Sequence, residues 1–360
     1  MTRVSSRCPS VCGGLDNCVV DRTMALADRN SPQAISEGAN SLRLALGLVS
    51  GRILRRYRPL LVNIETTLRC NLACTFCDKR SPQGTQMDTG RACRLIDELA
   101  DAGTCSVCFD GGEPLLHPGI GEIIAQARRR GLRVALSTNG TLIPQCPEAW
   151  EQAHVIKISL DGVEEQHDAG RGQGAFRRAC AGVRFARQRG KHVVLRMTIG
   201  AHNVDSWRGA LAIAKELDCP ILFQPAVGST LDGNVVFASH SADVQRYREA
   251  MRDIIEAQRA GEPVANERVC LDYLRHWPDP QPVPFCAGGR IQAAIDPEGR
   301  IFPCGCLGRS APAPNVFTQG VRAAFAELAR PRSCQNCWCS LTLATCFLWR
   351  LDPRLLRGRF

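Results

Sequence analysis

From residue 60 onward, apolar positions follow two alternating rhythms. Leu60–Ile64 is a short apolar run. Ala92, Leu95, Ile96 and Leu99 then recur at the spacing of one helix face, and Gly103 stops that helix. A strand-like run, Cys105–Phe109, comes next; Ile120, Ile123, Ile124 and Ala127 repeat the helical spacing, and Gly131 ends it. Val134–Leu136, Val155–Leu160, Val193–Ile199 and Ile221–Phe223 are further β-rich runs, with helical stretches at Phe176–Gln188 and Trp207–Leu217. Strand and helix thus alternate about six times, the pattern of a parallel β/α domain with buried strands. Barrel, partial barrel and doubly wound sheet all remain open at this point.

The rhythm is absent on either side. Residues 1 to about 40 lack periodicity and read as a mobile leader holding Cys8, Cys12 and Cys18. The Leu42–Leu54 stretch is apolar but broken by Arg43, Gly47, Ser50, Gly51 and Arg52. It reads as an amphipathic helix packed on the protein's own core, with contact to a membrane surface as the other reading. After residue 226 a helical stretch, Ala242–Ala260, leads into Pro-rich 278–284 and then a cysteine-dense tail. The chain therefore divides into a leader and helix (1–59), a β/α domain (60–226), a helical linker (227–284) and a tail (285–360).

Composition sharpens this in one direction only. The formal net charge is +10, yet only Lys79, Lys157, Lys191 and Lys215 among the 45 basic residues are lysine. Arg55-Arg56 and Arg128–Arg130 are short and lie in or beside apolar-periodic segments, so they read as solvated helix faces and not as a nucleic-acid patch. The start of the chain carries no signal-peptide pattern and no apolar run nears 18 residues. The expectation is a cytoplasmic protein with no stable membrane insertion. Twenty cysteines in a reduced compartment then point to metal rather than to disulfides.

Chemistry concentrates after the first strand, at Cys70-Asn71-Leu72-Ala73-Cys74-Thr75-Phe76-Cys77. Three thiolates at this spacing reach three irons of a cubane and leave the fourth without a protein ligand. A zinc site would want a fourth Cys or His close by, and His117 is the nearest histidine. Cys93, Cys105, Cys108, Cys180 and Cys219 fall in helix or strand patterns and read as small buried residues.

These residues resemble the signature of the radical S-adenosylmethionine enzymes, with Cys70, Cys74 and Cys77 as cluster ligands and Phe76 as the aromatic before the last cysteine. Gly111-Gly112-Glu113-Pro114 resembles that family's segment for the methionine amino group. Segments at Ser137–Thr141, containing Asn139, and at Ser159–Gly162, containing Asp161, are similar to those of members with an additional C-terminal cluster. Arg171, in Arg-Gly-x-Gly-x-Phe, matches an arginine that contacts the cofactor in some members. Either Arg171 or Arg196 suits the methionine carboxylate, and Arg196 equally suits a structural ion pair. Ser159 suits a ribose or carboxylate; Asn139 and Asp161 read equally well as turn formers.

The tail resembles the SPASM/Twitch auxiliary-cluster domains. Cys286-x12-Gly299-x4-Cys304 fits their opening hairpin, with the turn at 295–300. Cys334 and Cys337 begin the next part of the pattern, but residue 343 is Leu, and the run continues with Cys339 and Cys346. That departure favours one auxiliary [4Fe–4S] cluster, held by Cys286, Cys304 and two or more of Cys334, Cys337, Cys339 and Cys346, with Cys306 a bystander. A structural zinc on the same cysteines is the alternative.

The resemblance implies a partial (β/α)6 TIM-type barrel with a small cysteine-rich C-terminal domain. It implies a [4Fe–4S] cluster and S-adenosylmethionine at the strand ends, and reductive cleavage of the cofactor to a 5′-deoxyadenosyl radical that takes hydrogen from substrate. An external donor such as a flavodoxin or ferredoxin would supply the electron. Oxidation, cross-linking or another modification is expected. The short stretch before the first strand favours a small molecule, or a peptide brought by a separate partner. A non-catalytic electron carrier would need neither Gly112, Glu113 nor Ser159, and a zinc-binding module would need no iron.

Overall fold

Six strands run parallel in chain order: β1 (Leu61–Thr67), β2 (Ser106–Gly111), β3 (Arg133–Thr138), β4 (Val155–Ser159), β5 (His192–Ile199) and β6 (Ile221–Pro225). In the computed structural model, residues 32–77, 84–226, 241–279, 281, 286–305, 312–328 and 337–355 are described, with backbone alone at 32–39. Cys8, Cys12, Cys18, Cys306 and Cys334 lie outside the described residues, as does most of the proposed leader.

Each strand is followed by helix, as parallel pairing requires. The helix Thr89–Ala102 begins where Asp88 accepts a hydrogen bond from the Arg91 N–H at 2.9 Å, and ends at Gly103 with φ +95°. It buries Ala92, Leu95, Ile96 and Leu99 against the sheet, and Ile120–Arg129 buries Ile123, Ile124 and Ala127 beside it.

The strands are not buried on both faces as expected. Burial alternates strictly along β3 and β5. Val134, Leu136, Val193, Leu195 and Met197 face the helices, whereas Ser137 and Arg196 point into the barrel, where they line a cavity. A cavity in place of a packed centre allows polar residues on the inner face.

The sheet does not stop at β1. Its order is β6-β5-β4-β3-β2-β1-β7-β8, where β7 (Gln292–Ile295) pairs parallel with β1 and β8 (Ile301–Phe302) returns antiparallel to β7. The hairpin expected in the tail thus extends the sheet of the β/α domain. Its turn is held by Asp296, whose Oδ1 accepts from the Glu298 and Arg300 N–H groups at 3.0 and 2.9 Å. The helix Ser340–Arg350 then returns along the inner face, contributing Leu341, Thr342 and Thr345 to the cavity wall.

The N-terminal helix Pro32–Leu54 packs Leu48 inward, with Gly47 against Leu60 and Gly51 against Trp349, so part of it does join the core. Leu42, Leu46 and Ile53 stay exposed on its other side. No helix among the described residues is long and apolar enough to cross a membrane.

Candidate active site at the C-terminal ends of the strands

The cysteine loop leaves β1 after Thr67 and is latched from β2. The Gly112 N–H donates to Thr67 O at 2.7 Å, and the Glu113 N–H to Arg69 O at 2.8 Å. A Cβ on Gly111 (φ +125°) would stand 2.3 Å from Thr67 O, and one on Gly112 2.1 Å from Arg69 O. The Gly-Gly pair is therefore required for close approach to the cysteine loop itself. Cys70 and Cys74 are half-buried, Cys77 is exposed, and none is in a disulfide. Burial pushes the Cys70 and Cys74 thiols up; Arg171 opposes the shift at Cys74.

Glu113 is fully buried and clamps three loops together. Its Oε1 accepts from the Leu115 N–H at 3.1 Å and from Thr138 Oγ1 at 2.7 Å, and its Oε2 from the Asn139 N–H at 2.8 Å. Burial raises its pKa, and these donors pull the other way. Asn139 passes the connection on: its Nδ2 donates to Asn71 Oδ1 at 2.8 Å, and Asn71 Nδ2 donates to Thr141 Oγ1 at 2.9 Å. Glu113 and Asn139 thus fix the cysteine loop to the end of β3.

Asp161, a residue of the expected cofactor set, is paired with Arg171. It is fully buried; Oδ2 lies 2.5 Å from Arg171 Nε and Oδ1 accepts from the Thr198 N–H at 2.9 Å. Arg171 turns its Nη1 to within 3.9 Å of Cys74 Sγ and sets its Cζ 5.3 Å from the centre of the Phe76 ring. His202 stacks on the same ring at 5.4 Å. Asn203 completes the support, donating through Nδ2 to Asp161 O and Thr198 O at 2.9 Å each. The hydroxyl of Ser159, half-buried at the end of β4, makes no hydrogen bond with another described residue.

Below these loops lies a cavity of about 360 Å³ inside the barrel, lined by Asn63, Cys108, Asp110, Ser137, Lys157 and Arg196 among others. Arg196 Nη2 donates to Gln224 Oε1 at 3.0 Å, while its Nε is buried without a hydrogen-bond partner.

In the tail, the Cys286 and Cys337 thiols each interact with the buried Cys346 thiol, and the Ala287 N–H donates to Cys346 Sγ at 3.4 Å. The contact with Cys346, then burial, drives the Cys286 thiol pKa up. No three described Cys, His, Asp or Glu side chains close around a single point, which one zinc ion would need. Cys304 is half-buried just beyond β8. Cys339 occupies the N-cap position of the helix Ser340–Arg350 and lines the barrel cavity.

Sequence reading missed Asn71, His202, Asn203 and Lys157. Lys157 carried a signal: it is the charged residue at the centre of a strand that is otherwise apolar except for its last residue, Ser159. The others are loop residues whose partners are distant in the chain.

Three unpaired thiols on one latched loop, with a guanidinium beside Cys74, fit three irons of a [4Fe–4S] cluster. The sequence profile of the Radical SAM superfamily matches residues 64–213. The AdoMet-dependent heme synthase of Methanosarcina barkeri is 30% identical, over 69% of this chain and 77% of its own length. The PqqA peptide cyclase of Gluconobacter oxydans is 28% identical, over 68% of this chain and 70% of that one. Among solved structures, anSMEcpe with bound AdoMet superposes with a TM-score of 0.62 at 16% identity, covering 83% of this chain and 98% of that one. Streptococcus suis SuiB bound to S-adenosylmethionine superposes with a TM-score of 0.59 at 15% identity, covering 83% and 72%. The latched cysteine loop, the cavity inside the parallel barrel below it and these relationships lead to one conclusion: the chain is an enzyme of the radical SAM superfamily.

Proposed function

We propose that Cys70, Cys74 and Cys77 hold a [4Fe–4S] cluster, that S-adenosylmethionine binds beside it at the strand ends, and that the enzyme modifies a peptide or small molecule held in the barrel. When bound, these two groups supply reductive cleavage of the sulfonium and a carbon radical able to take hydrogen from an unactivated position. The chain's part is positioning. Gly111, Gly112 and Glu113 fix the cysteine loop, Arg171 places a positive charge beside Cys74, and Ser159 offers a free hydroxyl at the end of β4. Phe76 is held rigid between Arg171 and His202. Asp161 and Asn139 act through their neighbours.

The observation that carries this reading is the latch between the Gly-Gly turn and the cysteine loop, set above an internal polar cavity. An electron carrier needs no such cavity. For the tail we propose one auxiliary [4Fe–4S] cluster on Cys286, Cys337 and Cys346, with Cys304 beside them. The domain division is then barrel at 60–226, linker at 227–284 and auxiliary domain at 285–360, after a leader and helix at 1–59. An external flavodoxin or ferredoxin would bring the electron in the cytoplasm; the net charge of +10 favours an acidic donor.

The test is iron content after anaerobic reconstitution. About eight irons are expected, and about four in Cys70/74/77→Ala. In that background Cys286→Ala and Cys346→Ala should each lose the remainder. Protein that takes up zinc alone would end this reading.

A further inference from the structure

Lys157 on β4 and Arg196 on β5 lie on the same face of adjacent strands. Lys157 pairs in register with Val194, and Ser159 with Arg196, so the two cations are one diagonal step apart. Both line the barrel cavity. The nearest polar atom recorded for Lys157 Nζ is the soft sulfur of Cys108 at 3.8 Å. Arg196 has one neutral partner, Gln224, and its Nε is buried without any. Neither makes an ion pair with another described residue. Among the described residues Asp110 is the one carboxylate on the cavity wall, and it accepts from Asn63 Nδ2 at 3.3 Å. The described lining thus carries two cations against one anion.

A charge enclosed by protein is costly unless an opposite charge meets it. A carboxylate placed between a guanidinium and an ammonium gains charge-assisted hydrogen bonds from both. Cys70, Cys74 and Cys77 are not part of this cavity wall, and Arg171 supplies the cation beside Cys74. The volume is at the small end of ligand sites and suits one small molecule or one side chain.

We propose that Lys157 and Arg196 bind a carboxylate of the substrate, so that this enzyme acts on an organic acid anion, either free or as an acidic side chain. The proposal rests on the reading that the barrel encloses the substrate, and it moves Arg196 from the cofactor to the substrate.

The test uses the full chain with its clusters reconstituted. Anaerobic calorimetry compares phenylacetate with the neutral phenylacetamide, and a blocked Ala-Glu-Ala peptide with its Ala-Gln-Ala counterpart, all at saturating S-adenosylmethionine. In at least one pair the acid should bind tighter by about tenfold. Preference within the first pair assigns a free acid, and within the second a peptide side chain. The preference should collapse in Lys157→Met and Arg196→Gln and survive in Lys157→Arg. Equal binding in both pairs, or a preference that persists in both neutralised variants, overturns the proposal. A preference seen without S-adenosylmethionine and abolished by it would give the two cations to the cofactor, and overturns it as well. Release of 5′-deoxyadenosine by the same wild-type preparation is scored separately. Its absence beside an intact acid preference would remove the radical reading and leave the anion site standing.

Discussion

Arg171 Nε lies 2.5 Å from Asp161 Oδ2, and through this pair the end of β4 supports the cysteine loop. Asp161 is fully buried and Arg171 nearly so. Burial alone would raise the Asp161 pKa, but Arg171, His167 and the Thr198 N–H outweigh it and hold the carboxylate below its ordinary value. Arg171 in turn reaches towards Cys74. Asp161→Asn leaves the guanidinium buried without a counter-charge and should cost about 3 to 5 kcal/mol in urea unfolding of the apo-protein. A loss below about 1 kcal/mol would show that the pair is no support.

Gly112→Ala tests the latch. Its Cβ would stand 2.1 Å from Arg69 O and 2.9 Å from Leu68 C, both backbone atoms that cannot rotate away. The cysteine loop must shift, so reconstituted protein should fall from about eight irons to about four, the tail cluster remaining. Full iron content would mean that the latch does not set the loop.

Glu113→Gln keeps one acceptor oxygen but brings an amide donor into a site where the Leu115 and Asn139 N–H groups and Thr138 Oγ1 all donate. One buried donor is left facing another, at a cost of about 1 to 3 kcal/mol. Melting temperature and iron retention should fall together. Weaker S-adenosylmethionine binding at unchanged stability would instead place the carboxylate at the cofactor.

Acid sensitivity should come in part from His167. Burial, then Arg171, lowers its pKa to about 4, and its Nδ1 accepts from the Asp161 N–H at 3.1 Å, which a proton there would prevent. Between about pH 6.5 and 4 the unfolded chain binds a proton that the native chain refuses, so stability declines as pH falls through that window. Between pH 7.5 and 5.5 this one group should cost roughly 1 kcal/mol in urea unfolding. His167→Asn should remove that share of the slope. His154, with a pKa lowered to about 3 by burial and Arg128, has the same sign and keeps the rest.

Hydrophobic period alone located the six strands β1–β6, because most of their helix-facing residues are apolar at every second position. It also expected both strand faces to be buried. That failed at Lys157 and Arg196, which line a cavity walled by several strands and by the helix Ser340–Arg350, a tertiary feature that the period of one strand does not show. That Cys70, Cys74 and Cys77 share one loop was legible from spacing, but the hydrogen bonds that tie Gly112 and Glu113 to that loop and to Asn139 were not. Their partners, Thr67, Arg69 and Asn139, lie in other segments of the chain. In the tail, spacing ranked Cys334, Cys337 and Cys346 together with Cys339 close behind. Cys339, at the start of the helix Ser340–Arg350, lines the barrel cavity, while Cys286 and Cys337 both meet Cys346.

The central claim is that the Cys70–Cys77 loop supports radical chemistry and not electron carriage alone. It is tested most directly by incubating the anaerobically reconstituted, dithionite-reduced protein with S-adenosylmethionine and measuring 5′-deoxyadenosine by chromatography and mass spectrometry. The wild type should release it even without substrate, and Cys70/74/77→Ala should release none while keeping its tail-bound iron. Wild-type protein carrying both clusters that leaves S-adenosylmethionine intact, with the reduced clusters verified spectroscopically, would contradict the account.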